Sequence, residues 1–131
     1  MVRLFVAIDL PPEMREVLQS SQEELAKSRA RLSVVSPENI HITLKFIGEV
    51  DEGRVPAIQE RLASVTGRPF EVSVSGISAD NRRRPRVVWC DVVDGGMCAA
   101  LNEQIEQALE PLGIRKEARR FRPHATLARV K

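Results

Sequence analysis

Apolar positions follow two rhythms along this chain, one of short runs or alternations and one of helical spacing. Leu4–Ile8 is a short continuous apolar run, which predicts a buried strand. Asp9, Pro11 and Pro12 then suit the start of a helix. Met14, Val17, Leu18, Ser21, Leu25 and Leu32 recur at helical spacing, and Pro37 breaks the pattern. Ile40 to Ile47 reads as a strand closed by Gly48. Asp51 caps a second helix whose face is Val55, Ile58, Leu62 and Val65, and Gly67 ends it. Phe70, Val72 and Val74 alternate with polar neighbours, as in a half-buried strand. Val87–Val92 is another strand. Met97, Leu101, Ile105, Leu109 and Leu112 form a third helical stripe with Gly113 just past its end. His124–Val130 is the last strand.

The two halves follow the same order. The first runs strand, helix, a strand holding His41, helix, strand. The second runs strand, helix, a strand holding His124, and stops. His41-Ile42-Thr43-Leu44 and His124-Ala125-Thr126-Leu127 agree at three of four positions. This spacing predicts an internal duplication, about 1–76 and 84–131, inside one domain spanning 1–131. The second copy lacks a closing helix and strand, so an exposed sheet edge is expected.

Composition narrows the class. The 131 residues are 43% hydrophobic and 29% charged, the balance of one globular domain. No apolar run is long enough to span a membrane, and the N-terminal run is too short for a secretory signal, so a cytoplasmic protein is expected. Cys90 and Cys98 then read as reduced thiols. Only 4% of residues are aromatic, too few for a stacking platform that binds single strands. Charge is uneven: residues 1–66 carry 8 basic and 10 acidic side chains, and 67–131 carry 12 and 8. The basic excess lies in Arg82-Arg83-Arg84-Pro85-Arg86 and between Arg115 and Arg122, surfaces suited to phosphate or simply to solvent.

The chemistry concentrates in the two histidines, the only ones in the chain. Each is followed two residues on by one of only three threonines, a coincidence of about one in two thousand by composition. A strand has period two, so each histidine shares a face with its threonine while Ile42, Leu44, Ala125 and Leu127 face a core. Two imidazoles can serve as base and acid at neutral pH, which in-line displacement at phosphorus requires. The hydroxyls of Thr43 and Thr126 can donate to the non-bridging oxygens, and no metal is needed. Other site chemistries fit less well. Cys90 and Cys98 lack zinc-ligand spacing with the histidines. No Gly-x-Ser-x-Gly elbow, Walker loop or dinucleotide loop is present, and nothing sets a cysteine beside a histidine.

These motifs resemble the two-histidine phosphoesterases, and in particular the RNA 2′,3′-cyclic phosphodiesterases, also called 2′-5′ RNA ligases. Four stretches carry the resemblance: Arg3–Asp9, Pro37–Val50, Arg84–Trp89 and Phe121–Val130. It implies a bilobal α+β fold of pseudo-twofold symmetry, with two antiparallel sheets around a central cleft and helices outside. It also implies cofactor-free hydrolysis of RNA 2′,3′-cyclic phosphate ends, tRNA halves or nucleotides among them, to 2′-phosphates, with reversible 2′-5′ ligation in relatives. His41 is expected as proton donor and His124 as proton acceptor, with Thr43, Thr126 and Arg129 holding substrate. Arg129 has the wrong parity for a regular strand, so its use requires a twist or bulge. Lys45 shares the parity of His41 and is expected at the cleft rim, and Arg122 flanks the second motif. The family is expected to continue with a helix and strands that this chain lacks. A binding module that grips nucleotides or RNA ends without turnover is the alternative, with salt-dependent affinity from its arginines.

Overall fold

The computed structural model describes every residue except Arg29 and Arg82, so Arg82 of the arginine-rich loop lies outside the described residues. The elements in order are strand β1 (Val2–Asp9), helix α1 (Pro12–Ala26), strands β2 (Leu32–Val34) and β3 (His41–Val50), helix α2 (Val55–Leu62), strands β4 (Ser73–Ala79) and β5 (Val87–Val93), helix α3 (Met97–Leu109) and strand β6 (His124–Val130). The fold is α+β. Its strands run in the order β1-β3-β6-β5-β4, with β2 also on β6. Among the described residues no helix is long and apolar enough to cross a membrane.

The chain forms two compact units, each drawing segments from both sequence halves. The first comprises Met1–Ala7, Thr43–Val72 and Asp94–Pro123. It holds most of β1 and β3 together with α2 and α3. Ile58 of α2 and Ile105 and Leu109 of α3 are buried in it with Leu44 and Val50. Just before helix α3 the carboxylate of Asp94 accepts from the backbone N–H groups of Gly96 (2.9 Å) and Cys98 (2.8 Å). Burial alone would raise the Asp94 carboxyl. Hydrogen bonds from the Cys98 thiol and from the Cys98 and Gly96 backbone outweigh it and hold the carboxyl lowered. Past α3 a 3₁₀ turn ends at Gly113, whose φ of +78° is the left-handed conformation that favours glycine.

The second unit comprises Ile8–Ile42, Ser73–Val93 and His124–Lys131. In it β6 pairs antiparallel with β5 along one edge. Its other edge is shared by β2, with Leu32 opposite Val130, and by the start of β3, with Ile42 opposite Ala125. Strand β4 extends the sheet beyond β5. Helix α1 packs on β6, and Leu18 is fully buried, as are Ile40, Ile42 and Leu127 of the same unit.

Three boundaries differ from the sequence pattern. Helix α1 stops at Ala26, and Leu32 belongs to a strand through its partner Val130. Strand β3 continues through Gly48, whose φ of +90° bends it without ending it. Strand β4 starts at Ser73, later than the Phe70–Val74 alternation suggests.

Candidate functional site

The register of β3 and β6 decides which of the motif residues meet. Ile42 and Ala125 are opposite one another and both are 0% exposed. His41, His124 and Thr126 therefore project from the other face of the sheet, and all three are half-buried. Thr43 follows on β3 at the parity of His41 and is also half-buried.

Strand β5 supplies the floor beside His124. Trp89 lies opposite Thr126 and Asp91 opposite His124, so all four share a face. The Trp89 and His124 rings lie 4.8 Å apart between centroids, tilted by 40°. The Trp89 indole Nε1 donates to Asp91 Oδ1 (3.1 Å), and Ser78 Oγ of β4 donates to Asp91 Oδ2 (2.5 Å). The sequence reading missed Asp91 and Ser78. Local patterning gives no signal for them, because only the register of three strands brings them to His124.

A bulge in β6 sets the direction of Arg129. Val88 is opposite Ala128 but Trp89 is opposite Thr126, so Leu127 has no partner on β5. Leu127 and Ala128 are consecutive yet both buried, and beyond them the parity inverts. Arg129 is therefore exposed on the face of His124 and Thr126, as its use requires. The Leu127 carbonyl accepts from the Val35 backbone N–H (2.9 Å) and from Gln22 Nε2 of α1 (2.9 Å), which donates to the Val35 carbonyl as well (2.7 Å).

The residues that follow Thr43 repeat this arrangement in the first unit. Leu44 and Lys45 are consecutive and both buried, and Asn102 Nδ2 of α3 donates to the Leu44 carbonyl (2.7 Å). The same inversion corrects the expectation for Lys45. It does not reach a cleft rim. Its Nζ is buried against Glu106 (2.7 Å), with both side chains 4% exposed, and donates to the Arg115 carbonyl (2.6 Å). Glu106 also accepts from the Glu117 backbone N–H (2.7 Å). Arg122 is exposed near the start of β6.

The remaining chemistry is quiet. Burial, and then the nearby Asp91 charge, pushes the Cys90 thiol up. Burial and the hydrogen bond to Asp94 push Cys98 up to about 12. Both are poor thiolates and poor nucleophiles. The β4–β5 loop is held by Asp80, which accepts from the Arg86 and Val87 backbone, and by Asn81, which accepts from Arg83 and Arg84. These bonds leave the side chains of Arg83, Arg84 and Arg86 in solvent. A concavity of about 610 Å³ lies along α3, where Glu103, Glu106, Glu110, Arg115 and Lys116 line it and no motif residue does.

Residues 8–89 match the model of the LigT-like phosphoesterases. The chain belongs to this family. It is 40% identical over 131 residues to an RNA 2′,3′-cyclic phosphodiesterase of Archaeoglobus fulgidus, covering 99% of this chain and 73% of that protein. It is 37% identical over 133 residues to the Thermotoga maritima protein of that name, covering 99% and 71%. Among LigT-like folds of known structure, TT0787 of Thermus thermophilus superposes with a TM-score of 0.85 at 33% identity, covering 99% of this chain and 75% of that one. Escherichia coli LigT complexed with 3′-AMP gives 0.76 at 28% identity, covering 97% and 70%.

Proposed function

We propose that this chain hydrolyses the 2′,3′-cyclic phosphate at RNA ends, tRNA halves among them, to a 2′-phosphomonoester without a metal. The observation that carries this reading is the Ile42–Ala125 register, which turns His41 and His124 out on one face beside Thr126. Support comes also from the relatives named as RNA 2′,3′-cyclic phosphodiesterases and from the LigT structure holding 3′-AMP.

In this reading His124 takes a proton from water as the water oxygen bonds to phosphorus. The bond from phosphorus to the 3′-oxygen breaks, and His41 gives that oxygen its proton. Thr43 and Thr126 donate to the non-bridging oxygens, where charge lies in the transition state. Arg129 pairs with the phosphate from beyond the bulge. With the 5′-hydroxyl of a second RNA in place of water the same steps give a 2′-5′ linkage.

The test is turnover of a short RNA ending in a 2′,3′-cyclic phosphate, in chelator, with 2′- and 3′-phosphate products separated. A 2′-phosphate product that disappears in both His41→Ala and His124→Ala supports the reading. Tight binding of the same RNA without product by folded protein replaces it with the binding module.

A further inference from the structure

The two His-x-Thr motifs are equivalent in sequence, but their surroundings are not. The frame that lays His41 on His124 lays Phe5 on Trp89 to within one residue, because Leu4-Phe5-Val6-Ala7-Ile8 and Val88-Trp89-Cys90-Asp91-Val92 share an aromatic, apolar, small-or-polar, apolar order. In that frame the counterpart of Asp91 is Ala7. Only the second motif has a carboxylate at this position.

Asp91 is fixed in place. One carboxylate oxygen accepts from Ser78 and the other from Trp89, so the group cannot rotate without breaking a hydrogen bond. It is directly opposite His124 on the neighbouring antiparallel strand, where Cβ atoms stand about 4.5–5.5 Å apart. The indole that donates to Asp91 also leans on the His124 ring. Ser78, Asp91, Trp89 and His124 thus form one cluster on a single face of β4, β5 and β6.

We infer that Asp91 is a positioning residue that makes His124 the base of the pair. This rests on the hydrolytic reading above. A base gains positive charge as the reaction proceeds, so an adjacent fixed carboxylate is worth more in the transition state than in the ground state. The electron-rich face of Trp89 acts in the same direction and limits the tilt of the ring. At the first motif the frame puts Ala7 in the place of Asp91, and His41 takes the opposite task of giving up a proton.

The decisive variant is Asp91→Asn, which keeps the size of the side chain and an acceptor for Trp89 but removes the charge. On an RNA 2′,3′-cyclic phosphate the expected result is a kcat lowered by about 10- to 100-fold with KM within about twofold. Emission from Trp89, the only tryptophan, reports whether the cluster stays packed. If Asp91→Asn does not fold, Asp91→Ser is read the same way. A merely structural carboxylate predicts wild-type kcat in a folded Asp91→Asn. That result, with wild type active and His124→Ala inactive, overturns this inference and leaves the hydrolytic reading standing. A folded wild type without turnover removes both.

Discussion

Gln22 reaches from α1 to the carbonyl of Leu127, and Asn102 reaches from α3 to the carbonyl of Leu44. Leu127 and Leu44 hold the same place in the two motifs, one residue after the threonine. Each carbonyl belongs to a consecutive buried pair, Leu127 with Ala128 and Leu44 with Lys45. In both units a side-chain amide from a helix donates to a backbone carbonyl of the motif strand. The threonines of the two motifs are therefore held by the helices as well as by the sheet.

Replacing either amide removes a hydrogen bond from a helix to the motif strand. Gln22→Leu and Asn102→Leu are each expected to lower stability by about 1–3 kcal/mol. Gln22→Leu takes the larger loss, because this buried amide serves two carbonyls. Urea denaturation checks this. A loss below about 0.5 kcal/mol in both would show that water replaces the amides at no cost.

The Lys45–Glu106 pair is buried on both sides, so breaking it strands a charge. Lys45→Met is expected to destabilise the fold by roughly 3–5 kcal/mol, and Lys45→Met with Glu106→Leu by much less. The double variant still loses the bond from the Glu117 backbone to Glu106, so recovery is incomplete. A double variant no more stable than the single one would contradict this account of the pair.

Acid destabilises the start of α3. The Asp94 carboxyl is lowered in the folded protein, so its contribution is present above the unfolded carboxylate range and is lost as pH falls through the lowered folded value. Asp94→Ala should therefore cost stability near neutral pH and weaken the dependence of stability on pH on the acid side. Parallel acid-side curves for the two proteins would show that other carboxylates carry the dependence.

Much of this was legible in the chain. The paired His-x-Thr motifs stand in the sequence, and their strands and the three helices follow from periodicity. What escaped depends on contacts distant in sequence. Leu32 fits a helical stripe, yet its partner Val130 makes it a strand residue. Lys45 has the parity of His41 until the chain turns it inward to Glu106 on α3. Arg129 was conditional on a bulge that only the register of β5 and β6 reveals. Ser78 and Asp91 carry no local signature, since a carboxylate on a strand is ordinarily a solvated one.

The central claim is a division of labour between two histidines, and a leaving group that needs no proton tests it most directly. In an RNA 2′,3′-cyclic phosphate with sulfur bridging at the 3′-position, the departing thiolate is stable without an acid. His41→Ala is expected to recover on this substrate most of the activity it loses on the oxygen substrate, while His124→Ala stays inactive on both. Recovery of His124→Ala instead, or of neither variant, would contradict the assignment of His41 as acid and His124 as base.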